Sequence, residues 1–161
     1  MSHAQQTDTK SKLNQLNFLL GSWEVEVNTR LSANGPWENS HATSSIAKTL
    51  KASIIEENFS GKREGKEFLI KTLFAINNSN NKFQRVFADS EHSVLIEFEG
   101  DKNSDTIFFD KTWVYATGST VKLRVAYHPI SNDEFDLINM RMPQNSFEWD
   151  ITGRMKYKRI K

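Results

Sequence analysis

From Trp23 to the end of the chain, apolar and polar residues alternate with a period of two, interrupted at short intervals by turn-forming residues. Successive side chains of a strand point to opposite faces, so this rhythm predicts half-buried β-strands. Trp23, Val25 and Val27, set against Glu24, Glu26 and Asn28, fix the phase of the first strand, which runs on to Leu31. Further strands are predicted at about 37–48, 51–59, 66–76, 82–89, 94–100, 105–115, 119–128, 133–142 and 146–159. Between them lie turns rich in Gly, Pro, Asn and Ser, such as Ser32–Pro36, Asn77–Asn81 and Pro129–Asp133. In the last strand Phe147, Trp149, Ile151, Gly153, Met155 and Tyr157 share one parity, and Gly153 marks a bend.

Ahead of the strands, Leu13, Leu16 and Leu20 recur at helical spacing, and Gly21 suits the residue that ends a helix. This predicts a short amphipathic helix over 11–20, and the polar residues 1–10 read as a flexible tail. About ten strands with no helix between them predict an all-β fold, an antiparallel up-and-down barrel occupying residues 11–161 as one domain. A barrel of this size holds its own side chains or one small ligand. On pattern alone a two-sheet sandwich stays open.

Composition narrows the partners. The 161 residues include 11 Phe, 4 Trp and 3 Tyr, ring-rich material for pleated, half-buried surfaces. With 21 basic and 20 acidic residues the formal charge is +1, which is no footprint for nucleic acid or an anionic membrane. The basic C-terminal run from Arg154 to Lys161 reads as a solvated strand face. There is no cysteine, and so neither a disulfide framework nor a Cys-based metal site. The opening residues lack an apolar core, and no apolar run approaches the ~20 residues that span a bilayer, so a cytoplasmic protein is expected.

Leu19-Leu20-Gly21-Ser22-Trp23-Glu24-Val25, following a short helix and opening the first strand, carries the G-x-W pattern of lipocalin-like (calycin) barrels. Glu57-Asn58-Phe59-Ser60-Gly61, Phe83-Gln84-Arg85-Val86-Phe87-Ala88-Asp89, Asp133-Glu134-Phe135 and Tyr157-Lys158-Arg159 follow in order. Over residues 13–160 the chain resembles a bacterial lipocalin-like family catalogued mainly as a domain of unknown function. Phe83 and Phe87 stand where that family often has Trp. The resemblance implies a barrel with a pocket. Wider relatives bind hydrophobic molecules or haem, and a few are cyclases or decarboxylases, so it implies no particular reaction. It also implies a structural cation–π contact between Trp23 and Arg159 at the closed end.

Candidate ligand-binding residues follow from parity. Arg85 and Asp89 share the phase of Phe83 and Phe87, so an inward Phe face would carry a guanidinium and a carboxylate with it. Arg85 would then anchor a ligand carboxylate or carbonyl; the competing reading is a structural ion pair or an outward face. Arg124 is ambiguous, because Val121, Leu123, Val125 and Tyr127 on the opposite parity look more like core. Phe68 and Trp149 join Phe83 and Phe87 as expected cavity walls. His128, at a strand end beside Pro129, is a candidate haem ligand, although an exposed strand-end histidine is the plainer reading. Otherwise no cofactor and no metal is expected, since no metal-binding or nucleotide-binding motif appears.

The leading expectation is a module that binds a hydrophobic small molecule in its interior. The alternative is a small isomerase, cyclase or lyase with a carboxylate, Asp89 or Glu57, near Arg or His in the lumen. A third reading has a solid core and a working surface, for example in a homodimer.

Overall fold

The computed structural model describes residues 11–63, 65–91 and 94–161. The expected flexible tail, residues 1–10, lies outside the described residues. Ten strands follow a short helical segment: β1 (Gly21–Thr29), β2 (Glu38–Thr49), β3 (Ile54–Arg63), β4 (Lys66–Asn77), β5 (Lys82–Asp89), β6 (Leu95–Asn103), β7 (Thr106–Val114), β8 (Thr120–Ser131), β9 (Glu134–Pro143) and β10 (Asp150–Arg159). Each pairs antiparallel with its successor, and β1 pairs with β10 to close the barrel. The fold is the all-β up-and-down barrel that the alternation predicts, and the sandwich alternative falls.

Two elements differ from expectation. The helix is mostly 3-10, Asn14–Leu19, and ends where Leu20 becomes extended. Three residues per turn place every third side chain on one edge, so Leu13, Leu16 and Leu19 are the buried set, and Leu20 is not. The last strand begins at Asp150 instead of 146, which leaves Phe147 99% exposed in the preceding loop. A register shift between Ile151 and Gly153 marks the predicted bend.

One end of the barrel is sealed. Trp23, Phe74, Phe83, Phe109 and Phe135 are fully buried there, with Leu16 and Leu19 of the helical segment laid beneath them. Their rings meet edge to face, Trp23 on Phe135 at 4.8 Å and Phe83 on Phe109 at 6.3 Å. Arg159 covers Trp23 from outside, its guanidinium carbon 4.3 Å from the ring centroid. The same guanidinium donates to the carbonyls of Leu20 and Asn132. Gly21, at φ +140, permits this approach: a Cβ there would lie 2.1 Å from Arg159 Nη1.

The other end is open. The loops joining β1 to β2, β7 to β8 and β9 to β10 lie there, and they carry exposed apolar residues such as Leu31, Tyr115 and Phe147.

Candidate functional site

Below this open end lies a cavity of about 270 Å³. The volume sits near the lower end of pockets that hold small molecules, commonly ~300–1,000 Å³. Its wall is mostly apolar, with Phe59, Ile70, Phe87, Ile96, Phe98, Leu123, Val125, Leu137, Met140 and Met155 lining it, and Asn139 and Thr152 as polar members. Ile70, Phe87, Ile96 and Leu123 are only half-buried, which places them toward the mouth, whereas Phe59 and Phe98 are buried. The reading of a barrel packed solid therefore fails.

Polar side chains lie at the bottom of this cup. Glu57 of β3, Thr72 of β4 and Arg85 of β5 occupy three adjacent strands and border the same cavity, and all three are buried. Glu57 pairs directly with Thr72 across the sheet, and Thr72 with Phe87, two residues from Arg85. Each follows the inward phase of its strand: Glu57 between Ile55 and Phe59, Arg85 between Phe83 and Phe87.

Hydroxyl groups hold the charged pair in place. Ser44 Oγ donates to Glu57 Oε1 at 2.9 Å, and Tyr157 Oη donates to the same oxygen at 3.0 Å. Arg85 Nε donates to Tyr127 Oη at 3.1 Å. The rings of Phe87 and Phe98 flank the Arg85 guanidinium at 5.1 and 5.2 Å. No ion pair joins Arg85 to Glu57 among the described residues. Thr72 Oγ1 is fully buried without a hydrogen-bond partner.

Both phenols are held protonated. Burial pushes the Tyr127 hydroxyl up to about 12; the Arg85 charge pulls against that and the Glu57 charge adds to it. Tyr157 rises well above the ordinary tyrosine value, chiefly through burial and then through the neighbouring Glu57 charge. The floor thus offers neutral phenols between one cation and one anion.

The expected site residues divide accordingly. Arg85, Phe87 and Arg124 line the cavity. Phe68 is buried on the inward phase of β4, tilted on Phe59 with ring centroids 5.8 Å apart, without lining the cavity, and Phe83 belongs to the sealed end. Asp89 is half-buried at the end of β5, where its carboxylate accepts the Glu91 backbone N–H and shapes a turn.

Arg124 also borders the cavity, but its guanidinium does not face it, and Trp149 needs correction. The aliphatic face of β8 points inward, so Arg124, between Leu123 and Val125, turns its guanidinium outward. There it forms a bidentate pair with Asp110, both bonds 2.7 Å, between the rings of Phe108 and Trp149 at 4.9 and 4.7 Å. Trp149 precedes β10, and its ring clamps this outer cluster instead of lining the lumen. His128 is likewise on the outer face, exposed, its Nδ1 3.0 Å from Thr106 Oγ1, so the haem-ligand expectation loses its geometry.

Tyr127, Tyr157, Ser44 and Thr72 were not singled out as site residues by sequence. Tyr127 and Tyr157 share parity with apolar strand residues and read as core. The available signal for Glu57 was its phase, which it shares with Ile55 and Phe59.

Among the described residues no group of three or more His, Cys, Asp or Glu side chains is placed to hold a metal ion. No described helix is long and apolar enough to cross a membrane.

Fold and cavity together define a closed ten-stranded antiparallel barrel with a polar-floored interior. The chain belongs to the family described as "Protein of unknown function (DUF1579)", whose model matches residues 8–159. Among solved structures it is similar to a redesigned β-barrel, at 12% identity and TM-score 0.48, covering 92% of this chain and 96% of that one. It also matches a protein of unknown function of the DUF3598 family from Nostoc punctiforme, at 7% identity and TM-score 0.28, covering 92% and 99%. No curated protein matches the chain.

Proposed function

We propose that this protein binds a small, largely apolar molecule inside its barrel, in the manner of lipocalin-like carriers. One observation carries the reading: an apolar-walled cavity ends on buried polar groups that the fold fixes in place without exhausting their hydrogen-bonding capacity. Burial of apolar ligand surface, about 25 cal/mol per Å², supplies the affinity, and the floor supplies orientation. Native mass spectrometry on protein purified from its own host tests the idea, alongside calorimetric titration with medium-chain amphiphiles. A co-purifying molecule, or saturable binding abolished by Leu123→Trp in a still-folded barrel, is the expected result. Absence of any such binding overturns it.

A second reading, a small isomerase, cyclase or lyase, draws on Glu57 bordering the cavity. It differs in its consequence: Glu57→Gln would leave a substrate bound and stop turnover. The two hydroxyls converging on Glu57 Oε1 favour a fixed anchoring group, and so favour binding.

A further inference from the structure

We propose that the head group of the bound molecule is uncharged and both accepts and donates hydrogen bonds, seated between Arg85 and Glu57 over Thr72. The inference rests on the binding reading above and specifies the chemistry at the bottom of the cup.

Charge balance is the first argument. The groups bordering the cavity include one guanidinium whose charge faces inward, Arg85, and one carboxylate, Glu57. The charge of Arg124 is spent outside on Asp110. The floor is therefore neutral as built, and a ligand carboxylate would add an uncompensated negative charge near Glu57. An ammonium group would do the converse beside Arg85. Buried charges without a partner are strongly disfavoured.

Valence is the second argument. A guanidinium carries five N–H donors in a planar fork, and among the described residues Arg85 directs only Nε to a protein acceptor, Tyr127. Glu57 receives both of its hydroxyl donors on Oε1, which leaves Oε2 without one of them. Thr72 Oγ1, buried between them in the strand order, has no partner. A carbonyl or hydroxyl oxygen facing Arg85 and an N–H or O–H facing Glu57 match these groups in kind. Primary amides and alcohols have that pattern; the cavity accommodates a short aliphatic tail behind it.

The test is a matched series with one tail and four heads: octanamide, 1-octanol, octanoate and octylammonium. Each is titrated calorimetrically at pH 7 into the full-length protein, Glu57→Gln and Arg85→Gln. Octanamide and octanol are expected to bind the unaltered protein about 10- to 100-fold more tightly than either ion, the ratio that one charge-assisted hydrogen bond commands. Glu57→Gln leaves Arg85 uncompensated and should move the preference at least tenfold toward octanoate. Arg85→Gln should move it toward octylammonium. Tightest binding of octanoate by the unaltered protein, or an unchanged octanoate-to-octanamide ratio in Glu57→Gln, overturns the inference while leaving cavity binding intact. If none of the four binds, the binding reading and this inference fall together. Should Glu57→Gln not fold, the ranking of the four heads by the unaltered protein decides alone.

Discussion

The two ends of the barrel are made from the same alternating strands, yet they are built for opposite purposes. At the sealed end Trp23, Phe83, Phe109 and Phe135 are each 0% exposed, and the helical segment adds Leu16 and Leu19 below them. At the open end the same inward phase presents Ile70, Phe87, Ile96 and Leu123, half-buried around a cavity. The boundary between the two is the layer of Glu57, Thr72, Arg85, Tyr127 and Tyr157. Dispersion and apolar burial scale with filled space, so stability concentrates at one end. The other end keeps room and unspent polar groups.

Substitutions at matched aromatic positions test this division most strongly. Phe135→Ala should cost about 3–5 kcal/mol, because it empties a fully packed site, whereas Phe87→Ala, already beside a cavity, should cost less than half as much. Urea unfolding measures both, and equal losses would erase the distinction. Next in size is an alkaline effect. The folded Tyr127 holds its proton up to about 12, while an unfolded tyrosine loses it near 10. The stabilisation is therefore complete below about pH 10 and declines as pH rises toward 12, by about 1.4 kcal/mol per pH unit. Tyr157, raised in the same direction, steepens the decline. Tyr127→Phe should flatten the stability–pH curve in that window, and an unaltered slope would contradict the burial argument.

Arg159→Met should lower stability by about 1–2 kcal/mol, removing the cation–π contact with Trp23 and the bonds to two backbone carbonyls. Thermal denaturation reads this, and a shift indistinguishable from zero would make the cover on Trp23 incidental. The smallest effect carries the opposite sign. Thr72→Val replaces a buried hydroxyl that has no partner with a methyl of similar shape, and should stabilise the ligand-free protein by about 1 kcal/mol. The same change should weaken amphiphile binding. Stabilisation without lost binding would mean that Thr72 does not meet the ligand.

Alternation located the strands well because turn residues punctuate it so often; β5 begins and ends where the pattern places it, at 82 and 89. It also set Arg85 on the Phe face, and the core confirms that face as the interior. It misled where both faces of a strand bear bulky groups. Trp149, expected as a cavity wall, instead encloses Arg124 outside the barrel together with Phe108. The alternation of β10 continues backward to Trp149 through residues that belong to a loop. Tyr127 and Tyr157 were legible as inward residues but not as polar ones in use, because parity says nothing about what stands across the lumen.

The order of residues along this chain was enough to determine a run of antiparallel strands behind one short helix, since strand phase and turn chemistry are local properties of neighbouring residues. The choice of a closed barrel over a sandwich came from the pairing of β1 with β10. Closure brought together groups as distant as Glu57 and Tyr157, one hundred positions apart. Which inward side chains fill space, which leave it empty and which share hydrogen bonds depends on their depth and on partners from other strands, and only the folded barrel supplies those.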